Sequence, residues 1–162
     1  MDPSMTGSWQ PTASLARSVA TATTVLFVGV ALGRPELLVL AAPFGVAAAL
    51  AVAHAPGSRV QARLRVANRW LHEGKSTRLE VAFESSDELE QVTAVISEAP
   101  YVAIQPASGA CSATVREDEE ARLVFAVSPR RWGQHPTGPV VVAATTPWDG
   151  FRWGPHRIPE PT

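Results

Sequence analysis

The side chains of this 162-residue chain that could do chemistry are four histidines, one cysteine and an acidic run at Glu117-Asp118-Glu119-Glu120. Cys111 with an imidazole would be a nucleophile pair, because the thiolate attacks and a nearby base generates it. The histidines stand at His54, His72, His135 and His156, none spaced with another as metal ligands are. No CxxC, HExxH, GxSxG or phosphate-binding loop occurs. Four acids in a row could suggest Ca²⁺, but a dedicated calcium loop alternates its ligands and turns sharply at a glycine. The run reads instead as a solvated hairpin tip, Cys111 as a small apolar residue on a strand, and His135 as an ordinary loop histidine. The sequence thus assigns no catalytic, cofactor-binding or metal-binding residue, and the chain reads as a non-enzyme. A net charge of −1 gives no global field for nucleic acid. No small-molecule substrate is evident.

The element that any function must be built around is the stretch Ser18–Ala53. It reads SVATATTVLFVGVALG, then RPE, then LLVLAAPFGVAAALAVA. Neither apolar run has a polar face, which a soluble surface helix of that length would show. Both are near the lower length limit for crossing a bilayer. The spacing predicts a two-helix transmembrane hairpin over 15–55, with helices at 15–33 and 36–54. Gly33 can end the first helix in a left-handed conformation. Pro35 suits the first turn of the second, where its missing N–H costs nothing. Gly29 and Gly33, four apart, could let the backbones approach closely, and Pro43 is expected to kink the second helix. Ala53-His54-Ala55 has the small-x-small pattern of a cleavage site, but it lies far too deep for a signal peptide.

On either side the composition changes. Residues 1–14 read as a disordered lead-in, with Trp9 a possible interfacial aromatic. Arg59, Arg63, Arg65 and Arg69 follow the second helix closely, and basic residues mark the cytoplasmic side. Both termini and the folded domain are therefore expected in the cytoplasm, at the inner membrane. From Val60 the hydrophobic period is two, with Arg63 and Arg65 on the outer face of the strand, a face that could meet anionic headgroups. Further short alternating runs follow, separated by Gly, Pro and acidic residues. Val140–Ala144 is the most apolar and reads as a central strand; from Gly154 the chain reads as a proline-rich tail. The fold class this predicts is a membrane-anchored all-β protein. The hairpin leads into an antiparallel β-sandwich of about seven strands over 58–158, immunoglobulin-like or fibronectin-like, with a tail at 159–162.

The informative C-terminal stretch is Pro129-Arg130-Arg131-Trp132-Gly133-Gln134-His135-Pro136-Thr137-Gly138-Pro139-Val140, leading to Thr146-Pro147-Trp148-Asp149-Gly150-Phe151. With the turns Gly33-Arg34-Pro35-Glu36 and Glu73-Gly74, it resembles the N-terminal part of the domain of unknown function 58 family of bacterial membrane proteins. The resemblance implies a membrane hairpin before a sandwich, and an accessory role beside MoxR-type AAA+ ATPases. In it Gly133, Gly138 and Pro139 shape a connection and start a strand, with Arg131 and Trp132 as structural or interaction candidates beside them. Trp148 and Phe151 are expected to pack over the core the turn that Pro147 begins. The Asp149-Gly150 pair departs from the family, which has Gly directly after the aromatic. The family also continues into a C-terminal domain, so a truncated or stand-alone form is expected. The function read from all this is a membrane-anchored scaffold that meets the lipid bilayer and other membrane-associated proteins, among them an AAA+ ATPase. The alternative is an envelope-facing sandwich binding cell-wall or protein ligands. A hydrolase using Cys111 is the third and least supported reading.

Overall fold

A computed structural model describes residues 8–57, 60–68, 75–97, 99–117, 119–131, 133 and 137–158. Two antiparallel helices stand on a two-sheet β domain. Helix α1 spans Ala13–Ala31 and α2 spans Pro35–Ala53. At about 1.5 Å per residue each is about 28 Å long. Helix α1 starts where the Thr12 hydroxyl accepts the Leu15 N–H at 3.2 Å, an N-cap. It stops at Gly33, whose φ of +61° a residue with a Cβ adopts only at a cost. The Arg34 N–H donates to Gly29 O at 2.9 Å and the Gly33 N–H to Val30 O at 3.2 Å. That pair of bonds is a Schellman cap. Pro35 then opens α2, and Glu36 lies in its first turn, where the helix dipole favours an anion. Helix α2 continues through Pro43 as one helix, lacking only the bond that the proline cannot donate.

The lead-in is ordered where described. Strand β1, Trp9–Pro11, pairs antiparallel with the last strand. Trp9 is half-buried and packs against the sandwich core, so it is a sheet residue rather than a loose aromatic. The remaining strands are β2 Gln61–Val66, β3 Thr77–Glu84, β4 Leu89–Ile96, β5 Val102–Gln105, β6 Ala110–Val115, β7 Glu120–Pro129, β8 Val140–Thr145 and β9 Phe151–Ile158. They form a five-stranded sheet in the order β1-β9-β8-β4-β6 and a four-stranded sheet in the order β2-β3-β7-β5. Strand β8 lies between β9 and β4, as its apolar run predicts. Strand β9 runs on to Ile158 past Gly154-Pro155, beyond the expected start of the tail, because a register shift between Val142 and Ala144 absorbs the irregularity. The acidic run is not a hairpin tip. β6 pairs with β4 and β7 with β3 and β5, so the connection arches from one sheet to the other.

The core lies between the sheets. Leu79, Val81, Phe83, Leu123 and Phe125 from one sheet meet Leu89, Val92, Ala94, Val142 and Trp153 from the other. Phe83, Phe125 and Trp153 are completely buried. Each fully buried side chain of this size is worth about 1.5–3 kcal/mol relative to exposure. The strict alternation along β7, with Leu123, Phe125 and Val127 in and Arg122 and Val124 out, puts one face of the sheet on this core.

Candidate functional site

The helices join the sandwich at one turn. Between β8 and β9 the chain makes a single 3-10 turn at Pro147–Asp149, and both helix ends lie on it. Thr12 ties down the start of α1. Its backbone N–H donates to Gly150 O at 3.0 Å, and its hydroxyl donates to the Asp149 carbonyl while capping the helix. The end of α2 comes closer still. A Cβ placed on Gly150 would lie 2.8 Å from the Cβ of Ala51 and 3.1 Å from its carbonyl oxygen, so only glycine allows this approach. Leu15, Ala48 and Ala51 close the joint with Phe151 as a small apolar cluster separate from the main core. Thr146, fully buried, holds the turn shut: its N–H donates to Phe151 O at 3.0 Å, and its hydroxyl accepts the Phe151 N–H at 3.0 Å.

Beside the joint a groove of about 750 Å³ runs along the outer face of the five-stranded sheet, overhung by the β1–α1 segment. Thr93, Val95, Val141 and Arg152 line it from the sheet, and Ser14 and Arg17 from the start of α1. Arg152 stands in register between Gln10 and Thr145, at the end of the sheet nearer the helices. Asp149 also lines the groove.

The outer face of the other sheet carries the arginines singled out in the sequence. Arg63 Nη1 lies 3.2 Å from Glu84 Oε1, and Arg122 lies 2.8 Å from Glu120 and 3.4 Å from Glu80. Arg65 stands opposite Glu80 in register. The hydrogen bond and charge of Arg122, with the fields of Arg65 and Arg63, hold the Glu120 carboxyl below the usual range, and Glu120 in turn raises Arg122. The strand taken as basic therefore belongs to a mixed-charge face that neutralises much of itself. Exposed pairs of this kind are worth little individually. Arg59 lies outside the described residues.

The other predicted residues fall into separate places. Gly29 is buried in the hairpin, and a Cβ there would lie 3.1 Å from the Leu37 Cβ, so its smallness serves helix packing. Around Gly33 there is open space, so Gly33 serves only the turn. Gly138 has φ +81° just ahead of Pro139 and β8. The Arg131 guanidinium stacks 4.6 Å from the centroid of the Tyr101 ring at the end of the sandwich remote from the helices. Gly133 is described, whereas Trp132, the Glu73-Gly74 turn, His72 and His135 lie outside the described residues. Trp148 does not pack over the core as expected. It takes φ +64° and points outward, 57% exposed, because Phe151 turns toward the helices and fills the joint.

The structure does not bring Cys111 to a described histidine. Cys111 is on β6 and His156 on β9, with β4 and β8 between, about 14 Å at the usual strand spacing. His54 caps α2, its Nδ1 2.8 Å from Leu50 O, and His156 meets the Trp153 ring edge-on at 4.4 Å. Burial pushes the Cys111 thiol up, away from the reactive thiolate. Among the described residues no three His, Cys, Asp or Glu side chains cluster as metal ligands. No protein-family model and no curated protein matches the chain.

Sequence reading passed over Thr12, Thr146 and Gly150. For Thr12 a signal existed, a threonine just ahead of an apolar helical run. For Gly150 there was none, since its neighbour Ala51 is distant in sequence.

Proposed function

We propose that this chain is a membrane-anchored, non-catalytic interaction module, in which α1 and α2 cross the bilayer as a pair and hold the sandwich at its surface. The observation that carries this reading is what the helices leave uncovered. Phe27 and Val39 are each 74% exposed and Val30 70%. Of the most apolar windows, 6% in α1 and 17% in α2 is buried. A core helix of a water-soluble protein would be mostly covered. An apolar surface of this extent on a hairpin about 28 Å long matches a hydrocarbon layer of about 30 Å. A cleaved leader fits poorly, because β1 precedes α1 and belongs to the same sheet as β9. Removing residues up to Ala55 would strip a strand from the sandwich.

The same pairing supports a topology in which the segment before α1 and the sandwich share one side of the membrane. We read that side as the cytoplasm, from the arginines that follow α2. The finer class we read as immunoglobulin-like: β2-β3-β7 and β9-β8-β4 are neighbours as strands A-B-E and G-F-C are in that fold. The accessory role beside a MoxR-type AAA+ ATPase rests on the resemblance of the hairpin turn and the Gly138-Pro139 strand entry to the domain of unknown function 58 family. Alkaline phosphatase fused after Thr162 tests the side. The fusion is expected to be inactive, with a green fluorescent protein fusion at the same point bright. An active phosphatase would instead support the envelope-facing sandwich. Purification from solubilised membranes is expected to bring down an AAA+ ATPase, and its absence there would remove the accessory role.

A further inference from the structure

The groove beside the joint has a chemistry that holding the sandwich does not require. Among the described residues, the side chain of neither Arg17 nor Arg152 has an ion-pair or hydrogen-bond partner, whereas those of Arg63 and Arg122 on the opposite sheet are matched with glutamates. Both unmatched arginines line one concave space of about 750 Å³ together with the hydroxyl-bearing Ser14 and Thr93. Asp149 is the carboxylate in that lining, which therefore holds two guanidinium groups and one acid. A guanidinium offers paired N–H donors that fit the oxygens of a phosphate, and a hydroxyl adds another donor.

The position of the groove selects the source of that phosphate. Arg17 lies just past the first turn of α1, and the uncharged apolar run begins at Ser18. Leu15 in that first turn already packs on Ala48, Ala51 and Phe151 at the sandwich. The chain therefore passes from the sandwich surface to an apolar environment within these few residues. On the membrane-anchored reading, on which this step rests, the headgroup layer lies at the mouth of the groove. We infer that the groove binds the phosphate of an anionic phospholipid headgroup, with Arg17 and Arg152 as its cations and Ser14 and Thr93 as hydroxyl donors. Bound there, the lipid bridges the helix base to the outer face of β8 and β9 and fixes how the sandwich stands on the bilayer.

The test uses the full chain in nanodiscs of phosphatidylcholine with a minor share of phosphatidylglycerol, with the lipid that survives detergent exchange measured by native mass spectrometry. Wild type is expected to retain phosphatidylglycerol at least tenfold over its share of the bilayer. Arg17→Gln with Arg152→Gln should abolish that enrichment, while Arg78→Gln, on the other sheet, should keep it. Circular dichroism of each variant shows that the sandwich is still folded. A wild type that stays in the membrane through alkaline carbonate extraction but takes up the two lipids in proportion would overturn this inference alone. Release by carbonate would overturn the membrane anchor and this inference with it. Displacement of the retained lipid by millimolar glycerol phosphate would show a site for soluble phosphate esters and overturn the lipid assignment.

Discussion

The hairpin and the sandwich are both rich in apolar residues and use them in opposite ways. In the sandwich the large side chains point inward: Phe83, Phe125 and Trp153 are completely buried, and arginines and glutamates cover the outside. In the hairpin the small residues Gly29, Ala41 and Ala48 are buried, while Leu26, Phe27, Val39 and Phe44 point out. A water-soluble core gains its stability from removing large apolar side chains from water. Two helices in lipid gain nothing that way, and pack by letting their backbones approach at small residues. The inversion of which residues are buried, more than the length of the helices, is what supports the proposed lipid environment of the hairpin.

The widest gap between the regions should be seen in phenylalanine truncation. Phe125→Ala opens a cavity in the sandwich and is expected to cost about 3–5 kcal/mol in urea unfolding followed by tryptophan fluorescence. Phe27→Ala should cost about 0.5 kcal/mol or less in the same assay, as a change at an exposed position does. Equal losses would remove the contrast. The small residues should behave in reverse. Gly29→Leu drives a side chain into Leu37 and should destabilise the hairpin by about 1–3 kcal/mol, measured by thermal unfolding in bicelles. Gly45→Leu, with nothing within 4 Å of its Cβ, should be near neutral.

The joint, where the regions meet, should be breakable without unfolding either. Gly150→Ala forces apart the turn and Ala51. It should speed hydrogen exchange at the first turn of α1 while leaving the amides of β3 and β7 protected. Thr12→Ala, which removes the cap, should do the same at a cost of about 1 kcal/mol. Exchange that accelerates throughout the sandwich would mean that the joint is part of its core. The smallest effect is electrostatic. The Glu120 carboxyl is held below its unfolded value, so the stability it contributes is present above that value and is lost as pH falls through the lowered one. Glu120→Gln should therefore flatten slightly the acid limb of an unfolding curve measured against pH, and leave neutral stability little changed.

Period-two alternation made β2, β3 and β7 legible in the sequence, because each buries one face on a single core, and an unbroken apolar run made β8 legible. The hairpin was legible for the contrary reason, the lack of any polar face over two runs joined by Gly33-Arg34-Pro35. Strand β1 was not legible. Trp9-Gln10-Pro11 has no period of its own and becomes a strand only through its pairing with β9. The joint was half legible: Thr12 before an apolar run is a helix-start signal, but the need for glycine at position 150 comes from a helix distant in sequence. The reading of Trp148 failed because the two aromatics of that turn divide their tasks in a way only the helix ends decide. The mixed charge of the β2 face was not legible either, since Glu80, in register with Arg65, and Glu84, paired with Arg63, lie on the next strand. The groove left no local trace, as Arg17 and Arg152 come to line one groove only through the β1–β9 pairing.

The central claim is that α1 and α2 cross a bilayer, with their connecting turn on one side and the sandwich on the other. In a Cys111→Ala background, single cysteines at Glu36 in that turn and at Lys75 in the sandwich can be labelled in intact cells with a membrane-impermeant maleimide. The expected result is that Glu36→Cys labels and Lys75→Cys is protected until the membrane is opened. Labelling of both, or of neither until lysis, would contradict the claim.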